Sequence, residues 1–429
     1  MKLFKKYILF VLGLNLGVAV HAQDSITLVS QLPITGLPIH DIYGYTHPTT
    51  GVKYALLCAS NSGLRVIDLS DLSNPSLVGS IQGGGVEPID VKVWGNYAYV
   101  ISESSSLLGK IIDLSDPTNP VKVGTFPAAH NITISDSGYM YLSAPGVRIM
   151  DLNIDPINPV QVYFDNSCEG HDISIIGNRL YDFPGNCGTR IYDVSQPDTL
   201  VLIGSLPAGG YQHSGWTTED SNFLFVCDEL AKPLENDITV WNISDLNNPM
   251  KVDSFSDPSA YVHNLYVKGN YAYVSYYRAG FRVFDVSDPV HMQLVDEYDT
   301  DTLLSGPGYG GNFGLFINWG IDTILASDEN NGLFIFSFTN LKTDVENLHQ
   351  KQNDFKLYPN PSNGMVNVDL NENLTDGKIQ IYASSGALLK ELPWSKNLVF
   401  STKEWGTGMY YLTITTSNSV QSQPFYVVK

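Results

Sequence analysis

The sequence predicts an all-β protein: a seven-bladed β-propeller followed by a small immunoglobulin-like β-sandwich. Three observations predict it. A strand–turn–strand segment recurs along the first three quarters of the chain at a spacing of about 40 to 50 residues, a propeller-blade period. No stretch of the repeats has the 3.6-residue apolar period of a helix. From Phe355 onward the pattern changes to short alternating strands divided by Pro-, Asn- and Gly-rich turns.

The repeat reads GLRVIDLSDLSNPSLVGSI from Gly63, GKIIDLSDPTNPVKVGTF from Gly109 and GVRIMDLNIDPINPVQVYF from Gly146. It continues with TRIYDVSQPDTLVLIGSL from Thr189, ITVWNISDLNNPMKVDSF from Ile238, GFRVFDVSDPVHMQLVDEY from Gly280 and a truncated GLFIFSF from Gly332. In most copies a glycine opens an apolar, β-branched strand that ends on Asp. A turn follows in which Asp or Asn side chains bond nearby backbone and Pro presets φ. Two further strand signals precede each copy, which makes four short antiparallel strands per unit. One such blade cannot cover both its faces, so the units must stack radially. The seventh copy lacks its fourth strand, while SITLVSQLPI from Ser25 has the pattern of a fourth strand without the first three. Joining the two closes the ring and removes an open edge.

These segments resemble the LVIVD repeat. The longer series HSGWTTEDSNFLFVCDE (213–229), VHNLYVKGNYAYVSYYRAGFRVFDVSDP (262–289) and SDENNGLFIFS (327–337) is similar to the choice-of-anchor B family. The resemblance implies an exported propeller over residues 23–340, whose C-terminal anchoring module varies among members.

Residues 341–354 are polar and without apolar period, and read as a linker. Residues 355–429 have the length and alternation of a small sandwich. They resemble the type A sorting domain of the type IX secretion system. The resemblance rests on Tyr358, Pro359, Asn360, Pro361 and Gly364 of YPNPSNG, on Gly386 of YASSG, and on Gly408 and Tyr410 of GMYYLTI. It implies recognition by the outer-membrane secretion machinery, with release of the cargo or its attachment to surface lipopolysaccharide.

The N-terminus agrees with export. Lys2, Lys5 and Lys6 precede an apolar run from Tyr7 to Val20, and Val20-His21-Ala22 offers small residues for cleavage. This is the pattern of a signal peptide over 1–22, its apolar run of about 14 residues being shorter than a spanning helix needs. No later run is long enough to cross a bilayer, so the mature chain is expected without a transmembrane helix, secreted or on the outer surface. A net charge of −20, with 44 acids against 24 Lys and Arg, lies almost wholly before Phe355. Such a surface repels phosphate backbones, and no basic stripe interleaved with aromatics offsets it, which excludes nucleic acid as a partner. In an oxidising compartment Cys168 and Cys187, within one repeat unit, are the plausible disulfide. Cys58 and Cys227 lie in apolar strands and are expected buried and free.

Five of the nine histidines fall at one phase of the repeat, at the start of a blade's first strand: His40, His130, His171, His213 and His263. A short polar residue follows each: Asp41, Asn131, Asp172, Ser214 and Asn264. The second unit has Ile89-Asp90 at this phase, and the seventh has Phe313-Gly314. First strands are innermost in a propeller, so these side chains should ring one mouth of the central channel. There His171, Asp172 and His213 could hold a divalent metal, against the more ordinary reading of the ring as structural. Glu229 and Arg278, which follow second strands, are further candidates for a ligand site at that mouth. No catalytic nucleophile motif, phosphate loop or local zinc spacing occurs. A surface binding module for an extracellular ligand, a metal-dependent hydrolase or lyase, and a structural or adhesion component all remain compatible with the residues.

Overall fold

The computed structural model describes residues 24–34, 36–60, 63–81, 88–102, 107–230, 236–340, 355–370, 377–383, 387–416 and 420–429. The expected signal peptide, the linker 341–354 and Gly386 lie outside the described residues. The chain divides into two compact units, Met1–Leu341 and Lys342–Lys429. Every regular element among the described residues is a strand, and no described helix is long and apolar enough to cross a membrane.

In the first unit the described strands form seven four-stranded antiparallel sheets. Their first strands are Ile39–Thr46, Pro88–Trp94, Asn131–Ile134, Asp172–Ile176, Gln212–Thr217, Leu265–Lys268 and Asn312–Phe316, defining blades 1 to 7. First strands touch their neighbours from blade 7 through blade 1 round to blade 6, and the first strand of blade 7 meets the second strand of blade 6, Tyr271–Ser275. In six blades four consecutive strands pair in order. Blade 7 pairs Asn312–Phe316, Ile324–Asp328 and Gly332–Thr339, and takes its outer strand, Ser25–Leu32, from the other end of the chain. The register runs from Ser25↔Thr339 to Leu32↔Leu333, so the expected closure is present. Gly332 has φ +85°, and a Cβ there would lie 2.5 Å from the Leu32 carbonyl oxygen. Only glycine can open the strand against the closing partner.

The closed ring is what the apolar residues require. Among the described residues seven buried clusters form, each shared by two adjacent blades. Ile39, Leu57, Phe316 and Ile335 join blades 1 and 7; Tyr45, Leu56, Val91 and Ile112 join 1 and 2. The series runs on round the molecule to Tyr273, Phe281, Leu315 and Phe336 between 6 and 7. A sheet with two apolar faces is covered only by a neighbour on each side, and an open row would leave two faces wet. The repeated aspartates act in turns. Asp68, Asp113, Asp151, Asp193 and Asp285 each accept the backbone N–H two residues on, at 2.7–2.9 Å.

The second unit packs a three-stranded sheet (Phe355–Tyr358, Met365–Leu370, Asn397–Ser401) and a four-stranded one (Leu388–Leu392, Lys378–Ala383, Gly408–Thr415, Val420–Val427) around one core. The PNPSNG turn is fastened to the last strand. The Asn360 side chain accepts from Tyr426 N at 2.8 Å, and Ser362 N donates to Tyr426 O at 2.7 Å. Gly408 opens the strand in which Tyr410 lies tilted 5.1 Å from Trp405 and stacks 5.9 Å from Phe425.

Candidate ligand site at the channel mouth

A β-bulge turns the phase residue toward the axis in several blades. The first strand of blade 5 pairs Gln212 with Asp228 and then Ser214 with Cys227, so His213 is the extra residue. The same irregularity falls at His40-Asp41, at Ile89 and at Phe313-Gly314. Bulges re-aim side chains and often lie beside functional sites. In blades 3, 4 and 6 the histidine lies just before the strand instead.

The histidines form an arc. Ring centroids are 4.2 Å apart for His130–His171, 4.4 Å for His171–His213 and 4.8 Å for His213–His263. Phe313 carries the arc on to His40, lying 4.1 Å from His263 and 5.2 Å from His40. Blade 2 contributes Ile89. The arc lines one cavity of about 730 Å³, together with Glu229, Tyr277, Tyr309 and Glu329. The ends of the second strands therefore meet the histidine mouth: Asp228 pairs with Gln212 and Asp328 with Asn312, which brings the following glutamates to the axis.

The arc is chemically uneven. On the side of blades 3 to 5, His171 Nδ1 lies 3.2 Å from Asp172 Oδ1, and His213 Nε2 lies 3.4 Å from Glu229 Oε2. The other Glu229 oxygen accepts from the Tyr277 hydroxyl at 2.5 Å. One potential ligand atom from each of His130, His171 and Asp172 lies within 4.8 Å of the others, and so do those of His171, His213 and Glu229. Burial pushes His213 down to about 3 and His263 to about 4, so both rings are neutral at physiological pH. Burial also opposes charge on His171, yet its contact with Asp172 holds it above the ordinary value. His263 Nδ1 is engaged by the Phe313 carbonyl at 2.7 Å and His40 Nε2 by the Ser60 hydroxyl at 2.8 Å, so these two rings serve the framework.

On the side of blades 1 and 2 the polar groups satisfy one another. Lys92 Nζ binds Asp41 at 3.1 Å and also Asp90. The second Asp90 oxygen accepts from Asn131 Nδ2 at 3.2 Å and Ile132 N at 3.1 Å, and Asn131 Oδ1 accepts from Ile173 N at 3.2 Å. The residues one place after the phase position thus stitch blade 2 to 3 and blade 3 to 4. Burial, followed by the neighbouring Asp90, raises the Asp41 carboxyl well above its ordinary value despite Lys92.

The rim is aromatic. Tyr211 meets His171 edge-on at 5.3 Å, Tyr277 lies 4.9 Å from His263, and the half-exposed Tyr309 packs 5.2 Å from Tyr277. Tyr277 has φ +34°, a left-handed conformation that is strained for a tyrosine. Burial, and then the charge of the adjacent Asp328, raises the Glu329 carboxyl to about 7. Arg278 does not line the cavity. Its guanidinium turns to the loop before blade 7, donating to Tyr309 O at 2.9 Å and Ser305 O at 3.4 Å, and so braces the rim from behind. Cys168 and Cys187 are disulfide-bonded, which ties the segment leading into His171 to the loop after the second strand of blade 4. Cys58 and Cys227 are free and buried. Sequence reasoning missed Lys92, Tyr211 and Tyr309. A lysine two residues after Asp90 in the first strand PIDVKVW was the one available signal.

Comparison with known proteins agrees with both units. LVIVD repeats match residues 53–82, 88–127 and 259–300. A secretion system C-terminal sorting domain matches residues 356–428. Among solved structures, the crystal structure of the RRP9 WD40 repeats is similar, with a TM-score of 0.50 and 11% identity over 73% of this chain and 97% of that one. At that identity the likeness carries the propeller architecture alone. No curated protein matches the chain. The chain is thus an all-β protein with LVIVD repeats in a propeller and a C-terminal domain that sorts it for secretion or the outer surface.

Proposed function

We propose that this LVIVD-repeat protein is a surface or secreted binding module, carried out of the cell by the type IX machinery and receiving an extracellular ligand at the histidine mouth of its propeller. The observation that carries this reading is the cavity of about 730 Å³ where His130, His171, His213 and Glu229 converge under a rim of Tyr277 and Tyr309. Pockets that combine aromatic walls with a few convergent polar groups are the usual form of a small-molecule site. The resemblance to choice-of-anchor B proteins and the signal-peptide pattern over 1–22 support the same route.

Two measurements test it. Deleting residues 356–428 should trap the protein inside the outer membrane, and the N-terminus of the exported form should begin near Gln23. Normal surface delivery of the deleted form would refute the sorting role. Glycan and peptide arrays probed with the wild type and with Tyr309→Ala test the mouth. A ligand whose binding the substitution weakens about tenfold supports the reading, and equal binding by both proteins puts the ligand elsewhere.

A further inference from the structure

We propose that the channel wall of blades 3 to 5 holds one divalent transition-metal ion, with His171 as the common ligand, His130 and His213 beside it, and Asp172 or Glu229 completing the set. This deepens the proposed function, since it assumes that the histidine mouth is the working site.

Four observations lead to it. The first is donor geometry. A four-coordinate ion with bonds of about 2.0–2.2 Å sets its ligand atoms roughly 3.3–3.6 Å apart. The His171–Asp172 and His213–Glu229 pairs, at 3.2 and 3.4 Å, already stand near that separation. Both trios that include His171 keep their donors within 4.8 Å, which side-chain rotation can close.

The second observation is a buried nitrogen set against a carboxylate. His213 is 2% exposed, and its Nε2 faces Glu229 Oε2 at 3.4 Å. Two such acceptors facing each other away from water need a proton or a cation between them.

The third is charge. Lys92 is the one Lys or Arg among the described residues lining the cavity, and it is bound to Asp41 and Asp90. Among the described lining residues, Asp172 and Glu229 have no such cation beside them. A bound cation would offset two buried carboxylates at once.

The fourth is orientation. The Tyr277 hydroxyl holds one oxygen of Glu229 and so points the other at His213. Metal ligands are commonly fixed by such outer partners. Three imidazoles with a carboxylate suit zinc, copper or nickel rather than magnesium or calcium, which favour oxygen donors alone.

The test uses the mature full-length protein, stripped with a chelator and titrated with Zn²⁺ by calorimetry and with Co²⁺ by visible absorption. The expected result is saturable uptake of one ion per chain, with a Co²⁺ spectrum of low-symmetry nitrogen and oxygen coordination. His171→Gln should abolish it, and His130→Gln, His213→Gln and Glu229→Gln should weaken it about 10- to 100-fold. His40→Gln, in the same arc but outside both trios, should bind as the wild type does. Circular dichroism and melting curves confirm that each variant is folded; any that is not is replaced by the matching Asn variant. Absence of one-to-one uptake, or equal uptake by His171→Gln, overturns the site. Array binding by the metal-free protein separates the two proposals. Ligand bound without metal uptake sinks the metal site and leaves the binding module, whereas metal uptake with no ligand on any array counts against the binding module alone.

Discussion

The two walls of the channel are built from the same repeat phase and treat their buried acids in opposite ways. On the wall of blades 1 and 2, Asp41 and Asp90 face inward with Lys92 between them, and the remaining Asp90 oxygen binds Asn131 and Ile132 N. On the wall of blades 3 to 5, Asp172 and Glu229 face inward among three imidazoles, with no lysine or arginine among the described lining residues. The difference teaches how a repeat acquires a site. One wall is self-sufficient and holds the ring together, while the other keeps its donors available for a visitor.

The largest expected effect comes from breaking the self-sufficient wall. Lys92→Met leaves Asp41 and Asp90 buried without their cation and should lower stability by about 3–5 kcal/mol. Chemical denaturation measures it; an unchanged midpoint would show that the two walls do not differ in this respect. Next comes the covalent tie of the opposite wall. Replacing Cys168 and Cys187 with serine frees a loop of 19-residue separation and should cost about 3 kcal/mol. A reduced wild type should melt with the double variant.

Asn131 stands where the walls meet. Asn131→Ala leaves Ile173 N without its acceptor and should cost about 1–2 kcal/mol, read by the same denaturation curves. The smallest effect is one of slope. The Asp41 carboxyl is raised in the folded protein, so the folded state keeps a proton that the unfolded chain releases. Stability then declines as pH rises above the ordinary carboxylate value. Asp41→Asn should flatten that decline above about pH 4, and a melting profile with the wild-type slope would remove Asp41 as its source.

The architecture was legible because it is written many times over. Each turn aspartate, each opening glycine and each alternating strand repeats, and the unmatched SITLVSQL segment could pair only with the incomplete last blade. The histidine positions were legible for the same reason, as a phase. Their roles were not. His40 and His263 share the phase of His171 yet bond Ser60 and the Phe313 carbonyl, which depends on what each neighbouring blade presents. Glu229 reaches the mouth through the pairing of Asp228 with Gln212, a matter of strand length that composition does not reveal. Arg278 was expected at the mouth because it follows a second strand, but the left-handed turn at Tyr277 sends the tyrosine inward and the arginine behind the rim.

The seam of blade 7 has a consequence in time. Gln31 reaches the carbonyl of Asn331, 300 residues along the chain. The entropy of closing so long a loop grows only with the logarithm of its length, adding about 0.6 kcal/mol for each doubling. Non-local pairing instead slows the search for the native state. The strand that begins the propeller must wait, unpaired, until Gly332–Thr339 has been made, so the ring is sealed last by the residues synthesised first.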